Sequence, residues 1–163
     1  TDDKRYGDSP FLNYRENVTT IFIGDNVTTI GQRSFTQLIY LESINLSSSV
    51  KSIGDSAFGN CLQLININIL DGLSYIEDSP SSFCTSLASL EFSNTVISIG
   101  DFCFASCTKL VNLTLPNSLA SIGNYSFSKC SNLESISLPR TLTTIGSFPF
   151  YEWFKLISDL WII

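Results

Sequence analysis

The sequence contains no histidine and no methionine among its 163 residues. Without histidine, neither a Ser-His-Asp triad nor a Cys-His pair can form within the chain, and zinc sites that use histidine are excluded as well. No GxSxG elbow and no glycine-rich phosphate loop is present. The sequence therefore predicts no catalytic, cofactor-binding or metal-binding residues, and we expect a protein that is not an enzyme.

Basic residues are scarce. The chain has 9 Lys and Arg against 15 Asp and Glu, which gives a formal net charge of -6. The few cations are scattered, and no basic stripe is available to contact phosphate groups. Nucleic acid is therefore not an expected partner.

A long hydrophobic run is also absent. The most apolar stretch, FPFYEWFKLISDLWII at residues 148–163, contains Glu152, Lys155 and Asp159. It is too short and too charged to cross a bilayer, so no membrane span is predicted.

The chain begins without a methionine or a charged and apolar leader, so we expect a mature product or an excised segment. Hydrophobic residues make up 44% and charged residues 15% of the chain, which favours one folded domain without linkers.

An internal repeat of 23 residues runs through almost the whole chain. Shifting the sequence by this period aligns four sets of side chains, here called the Leu, Ile, Phe and Cys columns. The Leu column contains Val18, Leu41, Leu64, Leu87, Leu110, Leu133 and Leu156, and the Ile column contains Ile30, Ile53, Ile76, Ile99, Ile122 and Ile145. The Phe column contains Phe35, Phe58, Phe104, Phe127 and Phe150, and the Cys column contains Leu38, Cys61, Cys84, Cys107, Cys130 and Trp153.

Each unit reads LxxIxLxxxLxxIGxxxFxxCxx and begins with the alternation typical of a short β-strand. The apolar position three residues before the Ile column, occupied for example by Val50 and Leu73, predicts a second short strand that ends at the isoleucine. We expect the glycine after that isoleucine to adopt a backbone angle that other residues avoid, so that the chain can turn. The Phe and Cys columns then form a helical turn or an irregular arc. Since one unit cannot bury its apolar face alone, parallel stacked copies predict a repeat solenoid.

Two substitutions interrupt the columns in the third unit. Ser81 stands where a phenylalanine is due, and we expect Phe83, two positions later, to fill the gap. Glu77 replaces the glycine that follows the Ile column. We interpret Glu77 and Asp78 as a solvent-facing turn rather than as an acid–base pair.

The two ends predict caps. Residues 1–17 are predicted to form a degenerate half-repeat in which Phe11 and Tyr14 match the Phe and Cys columns, and residues 18–155 form six repeats. Residues 156–163 are predicted to form a last rung or cap in which Trp161 continues the strand register of Leu138. Since a solenoid end needs a polar outer face, the apolar C-terminus is a candidate end-to-end interface with a following repeat, a partner chain or another copy. Its residues are Trp153, Trp161, Ile162 and Ile163.

The segment LESISLPRTLTTIG, preceded by FSKCSNL and followed by a Phe, resembles the leucine-rich repeats of the BspA-like subclass. These repeats are abundant in surface proteins of certain bacteria and parasitic protists, and the resemblance covers roughly residues 18–156. It implies a leucine-rich-repeat arc with one or two parallel strands per repeat and short helical or irregular turns on the other side. It also implies binding of other macromolecules, in some members host matrix proteins or cell surfaces, and no catalytic residues.

The cysteines allow three interpretations. Thiols one repeat apart would stack in adjacent rungs, about 5 Å from each other, which permits a disulfide or a metal-binding ladder. However, Leu38 and Trp153 occupy the same column, so the position accepts an apolar group and favours packed free thiols. The fifth cysteine, Cys103, makes the total odd, which argues against a complete disulfide framework.

Five N-glycosylation sequons, at Asn17, Asn26, Asn45, Asn112 and Asn124, are weak evidence for secretion. Asn45 and Asn112 are expected within strands, an awkward place for a glycan. We therefore keep two hypotheses: an extracellular or cell-surface adhesin-type binding module, expected chiefly from the family resemblance, and an intracellular, cytoplasmic scaffold within a larger assembly.

The candidate binding surface is the outward face of the first strand of each repeat. It is a shallow polar surface that could contact protein or glycan across several repeats, or could simply be solvated. Phe22, Tyr75 and Glu91 break the uniformity of this surface, and we expect any hot spot to include them. The complete set of candidate face residues is Phe22, Asn45, Asn68, Tyr75, Glu91, Thr114 and Ser137.

Overall fold

The computed structural model describes residues 10–155 and the backbone of residues 161–162. These residues form parallel strands joined by turns, together with one short 3-10 helix, Leu12–Tyr14. No α-helix occurs in the described part of the chain, and therefore none there is long and apolar enough to cross a membrane. The strands in chain order are β1 Thr20–Phe22, β2 Thr29–Ile30, β3 Ser43–Asn45, β4 Ser52–Ile53, β5 Asn66–Ile69, β6 Tyr75–Ile76, β7 Ser89–Phe92, β8 Ser98–Ile99, β9 Asn112–Thr114, β10 Ser121–Ile122, β11 Ser135–Leu138, β12 Thr144–Ile145 and β13 Trp161–Ile162.

Two strands per repeat stack in parallel, as the sequence predicts. The odd-numbered strands pair in the orders β1-β3-β5-β7 and β9-β11-β13, and the even-numbered strands pair as β2-β4 and β6-β8-β10-β12. Between β1 and β12 every paired residue lies 23 positions from its partner, as Ile21 does from Ile44 and Ile99 from Ile122. The chain is thus a β-solenoid consistent with a leucine-rich-repeat arc, and its returning segments are irregular turns.

The core lies between the two strand columns and the returning segments. The inward residues of the strands and the Leu and Cys columns are almost completely buried from the second repeat to the fifth. Burying one such Leu, Ile or Phe side chain contributes roughly 1.5–3 kcal/mol. Burial decreases at the last repeat, where Ile145 is 43% exposed but Ile122 only 1%, because β12 is the edge strand of its sheet.

The Phe column forms a stack of rings. Phe35 lies on Phe58 with the ring centroids 5.9 Å apart, and Phe104 and Phe127 repeat the contact at 5.5 Å. At the N-terminal end, the ring of Phe11 lies 5.5 Å from that of Phe35. Phe11 therefore lies against the end of the Phe column, 24 residues before Phe35 and so one residue out of phase with the period.

The expectation that Phe83 fills the gap left by Ser81 is wrong. Ser81 is buried, whereas Phe83 is 51% exposed. Its backbone adopts a φ of 61°, which belongs to a repeating outward position rather than to the core. Phe92, at the end of β7, packs edge-on against the next buried ring of the column, Phe104, with the ring centroids 5.7 Å apart.

The expectation that the glycines after the Ile column adopt an unusual backbone angle is also wrong. None of the glycines that follow the Ile column has a positive φ; the one positive-φ glycine in the described residues is Gly72. Instead, a Cβ at Gly123 would lie 2.5 Å from Asp101 Oδ1 and 2.6 Å from the carbonyl carbon of Gly100. Here, as at Gly54, Gly100 and Gly146, the backbone of the neighbouring rung approaches too closely for a side chain.

Two other positions in each repeat adopt left-handed backbone angles, and none of them is glycine. The first is three residues after the Ile column, and the second is four residues later still. The first series is Arg33, Ser56, Ser79, Phe102, Tyr125 and Phe148, and the second is Gln37, Asn60, Phe83, Ser106, Lys129 and Glu152, with φ between 51° and 62°. Phe102 and Ser106 illustrate the reason: each donates its N–H to a carbonyl of the next repeat, at 2.8 Å.

The last strand corrects one register prediction. β13 pairs with β11 so that Trp161 lies opposite Ser137 and Ile162 opposite Leu138. The spacing here is 24 residues, one more than the period, so Ile162 rather than Trp161 continues the position of Leu138. The prediction of a last rung agrees with this strand, whereas Leu156 and Ile163 lie outside the described residues.

Candidate binding surfaces

The odd-numbered strands, here together called the first sheet, present their outward side chains as one surface, here called the strand face. Its candidate residues are Phe22, Asn45, Asn68, Glu91, Thr114 and Ser137, and all six are exposed. The pairing places Phe22 beside Asn45, Asn68 beside Glu91, and Thr114 beside Ser137. The sequence prediction therefore holds for the position of these six residues, although it leaves their role untested.

Tyr75 does not belong to the strand face. It is exposed, but it lies in β6, which pairs only with even-numbered strands. Phe22 lies on the edge strand β1 and is 78% exposed.

Shallow depressions run along the strand face. One of about 710 Å³ lies between β9 and β11 and includes Asn112, Thr114, Ser137 and Arg140. Another, of about 410 Å³, includes Asn45, Asn68 and Glu91. Both are wide and open, and amide and hydroxyl groups share their lining with aliphatic side chains, so they suit spread contacts with a large partner better than enclosure of a small molecule.

A second surface, which sequence reasoning missed, lies on the returning segments. It is an apolar groove of about 460 Å³ with serines along its margin. Four aromatic residues line it, Phe83, Phe102, Tyr125 and Tyr151, and together with Phe148, which stacks on Tyr125, they are here called the aromatic patch. Four of the five are 45–61% exposed, and Tyr125 is half-buried.

The rings of the patch form a ladder. Phe102 and Tyr125 stack with centroids 5.1 Å apart and planes at 6°, and Phe148 covers the other face of Tyr125 at 5.6 Å. Tyr151 meets both Tyr125 and Phe148 edge-on. The sequence contains a sign of this ladder. The first left-handed position is Arg33, Ser56 and Ser79 in the first three repeats, and it is aromatic in each of the next three repeats.

Comparison with known proteins decides the family. The family model described as "BspA type Leucine rich repeat region" matches residues 5–110 and 69–159 in six copies. This chain belongs to the BspA-type leucine-rich repeat family. Its fold is thus a generic protein-interaction fold, and its family is generally non-catalytic.

Solved structures of bacterial leucine-rich repeat proteins agree with the family. A leucine-rich repeat protein of T. pallidum is 27% identical over 85% of this chain and 78% of that one, with a TM-score of 0.70. Similar proteins of Eubacterium ventriosum and Bacteroides ovatus are each 25% identical, with TM-scores of 0.64 and 0.53. This chain covers 45% and 47% of their respective lengths. No curated protein matches the sequence.

In this BspA-type chain the five cysteines are buried free thiols. Four of them form a hydrogen-bonded ladder, in which each Sγ–H donates to a carbonyl oxygen 26 residues earlier, as Cys61 does to Phe35 at 3.1 Å. Burial raises the pKa of Cys61 and Cys130 from 9.0 to about 12. Burial likewise raises the pKa of Cys84, Cys103 and Cys107. Since the thiolate is the nucleophile and the metal ligand, these groups are inert in the folded chain.

Acidic and amide side chains form a second ladder between the repeats. Asp78 Oδ1 accepts the N–H of Asp101 at 2.8 Å, and Asp101 Oδ1 accepts the N–H of Asn124 at 2.6 Å. Asn124 then accepts the N–H of Ser147 through Oδ1 at 2.7 Å. Asp78 therefore has a structural role, and the side chain of the Asn124 sequon is engaged within the fold.

The apolar C-terminus only partly matches the predicted end interface. Trp153 is half-buried, contacts Phe150 with centroids 5.1 Å apart, and donates its indole N–H to the Leu133 carbonyl oxygen. Trp153 thus packs and hydrogen-bonds within its own chain. The backbone of Trp161 and Ile162 extends the first sheet.

Proposed function

We propose that this chain is a non-catalytic binding module of the adhesin type, displayed at the cell surface or secreted, which contacts a protein or a protein-linked glycan through its strand face. The observation that carries this proposal is the contrast within each strand. The inward residues Ile44, Ile67 and Leu113 are nearly constant and buried. The outward residues change freely and remain exposed, so they are available for a partner.

Contact on this surface would extend across several repeats. Each repeat contributes only one or two small polar side chains, which give little affinity alone. A flat partner can meet several adjacent rungs together, and the open depressions leave room for its side chains. Phe22 and Glu91 supply the large and the charged group in an otherwise uniform surface, and large buried side chains dominate many interfaces.

The binding test uses a panel of purified extracellular-matrix proteins and their glycans, with affinity measured by biolayer interferometry. Thr114→Arg places a large cation on the strand face and is expected to weaken binding at least about 10-fold. Gln63→Arg adds the same charge on an exposed returning segment and should change affinity less than about 2-fold. Equal binding by the Thr114→Arg variant and the unmodified chain would exclude the strand face as the contact surface.

The five free cysteines favour a second candidate function, an intracellular scaffold, because unpaired thiols persist in reducing compartments. Labelling of intact source cells with a membrane-impermeant amine reagent separates the two. Surface display predicts labelling without lysis. Labelling that requires lysis, with no protein in the medium, would instead support the scaffold.

A further inference from the structure

We infer that the aromatic patch is a self-association surface that binds a second copy of this chain in antiparallel orientation, with Lys129 of each copy against Glu152 of the other. This surface is independent of the strand face, so the inference does not rest on the proposed function.

The fold does not require the aromatic side chains of the patch. Phe83, Phe102 and Tyr125 each donate the backbone N–H to a carbonyl of the next repeat, and Ser79 makes the same bond with a serine side chain. Ser56 adopts the same left-handed angle, so an aromatic side chain is not needed for it. A bulky residue is uncommon at a positive φ, and such backbone angles cost roughly 1–3 kcal/mol. Phe83, Phe102, Tyr125 and Phe148 nevertheless all adopt one. Strained, exposed and confined to the later repeats, these residues point to a contact outside the chain.

The stacking limits the kind of partner that fits. Both faces of the Tyr125 ring are covered, one by Phe102 and the other by Phe148. Sugars and quaternary ammonium groups bind ring faces, and the two faces of Tyr125, at the centre of the ladder, are not free for them. The ladder instead presents ring edges, which suit apolar contact and edge-to-face packing against other aromatic side chains. A second copy of the patch supplies such side chains.

The charges at the margin of the groove are complementary to themselves. Lys129 lines the groove, and Glu152 is the residue one repeat later at the same left-handed position. The Glu152 carboxylate also reaches the Tyr151 hydroxyl of the patch, where hydrogen bonding and its negative charge raise the pKa of that tyrosine. Within residues 10–155, neither Lys129 nor Glu152 forms an ion pair. A two-fold axis between the two rungs brings each Lys129 to the other copy's Glu152, as an isologous interface demands.

The patch is small for a permanent dimer. At about 200 Å² per aromatic side chain, its four exposed rings offer roughly 400 Å² per copy. Standard interfaces bury about 800 Å² per partner, so the association should be weak, with a Kd of roughly 10–1000 µM. Such affinity is sufficient where copies are crowded together on one surface.

Sedimentation equilibrium of the 163-residue chain tests the inference. The average mass should rise with concentration from 18.0 kDa towards twice that value. Lys129→Glu and Glu152→Lys should each weaken self-association at least about 10-fold, because each places like charges together in both copies of the contact. An equimolar mixture of the two variants should associate as the unmodified chain does, since mixed dimers restore both ion pairs.

Control variants keep the outcome clear. Lys109→Glu changes the same charge at an exposed site outside the groove and should leave association unchanged. Phe148→Ser should reduce association at least about 10-fold while the circular dichroism spectrum stays native. A chain that remains monomeric up to about 1 mM would overturn the inference. So would a mixture of the charge variants that associates no better than either one alone.

Discussion

Cys84 donates its thiol hydrogen to the carbonyl oxygen of Phe58, in the preceding repeat, over 3.2 Å. Cys107 and Cys130 make the same bond to Ser81 at 3.6 Å and to Phe104 at 3.3 Å. The Cys column is therefore more than a small apolar filler. From Cys61 to Cys130 it places one weak donor per repeat against a carbonyl oxygen of the preceding repeat.

Substitutions at Cys84 should separate the hydrogen bond from the packing. Cys84→Ala removes the donor and some volume and should lower the free energy of unfolding by about 1–3 kcal/mol. Cys84→Ser keeps a donor for the Phe58 carbonyl, so we expect it to be about 0.5–1 kcal/mol more stable than Cys84→Ala. Urea denaturation measures both. A serine variant less stable than the alanine variant would show that the site is merely apolar, since an unsatisfied buried hydroxyl is costly.

The chain should lose stability above about pH 9. Cys61 and Cys130 have folded pKa values of about 12 against 9.0 in the unfolded chain. The folded state thus retains protons that the unfolded state releases, so this contribution is complete below pH 9.0 and is lost between pH 9.0 and about 12. The slope approaches about 1.4 kcal/mol per pH unit for each thiol. Urea denaturation at pH 7, 9 and 10 checks the decline, and it should be shallower in the Cys61→Ala variant. Equal slopes in the two proteins would contradict this assignment.

Two glycines of the same column should respond differently to alanine. At Gly123 the added Cβ would meet Asp101 Oδ1 and the Gly100 backbone within 2.6 Å, so Gly123→Ala should cost about 3 kcal/mol. At Gly31 the nearest atom is Ser34 Oγ at 3.4 Å, and φ is not positive. Gly31→Ala should therefore be neutral or stabilise by up to about 1 kcal/mol. Thermal unfolding of the pair is the measurement, and similar losses at both sites would argue against close approach of the rungs as the cause.

Two phenylalanines of adjacent repeats should differ by several kcal/mol. Phe83→Asn replaces an exposed ring at a left-handed position with the residue found there at Asn60, so stability should not fall and should rise by up to about 1 kcal/mol as backbone strain is relieved. Phe104→Ser removes a buried ring stacked on Phe127 and should cost about 4 kcal/mol. Chemical denaturation compares them. A large loss at Phe83 would mean that its ring has a structural role after all.

The sequence period predicted the stacking of the repeats because every column recurs at the same step and inward residues must be apolar. The strand face followed from the same alternation, which is why its six residues lie where expected. The role of Gly123 could not be read in the same way, because it depends on the separation of neighbouring backbones. The period contains no information about that separation.

The aromatic patch escaped prediction for a different reason. The outward direction of Phe83 depends on its left-handed backbone, and aromatic side chains have no preference for that conformation. Apolar character alone therefore suggested a core position for Phe83. Comparison of Ser79 with Phe102, which occupy the same left-handed position in adjacent repeats, would have shown that the fold accepts either a small polar or an aromatic side chain there. The informative signal was variation between repeats rather than repetition.

Parallel stacking also determines how the chain would carry load. In the described segments, hydrogen bonds between repeats join residues 22 to 26 positions apart, as in the bond between Thr36 and Gly59, so each rung is held chiefly by its two neighbours. Tension applied at the two ends would then peel rungs off one at a time. Each step would release about 80 Å of extended polypeptide for a rung of 23 residues. A tether built this way lengthens gradually under force and absorbs mechanical work before it breaks.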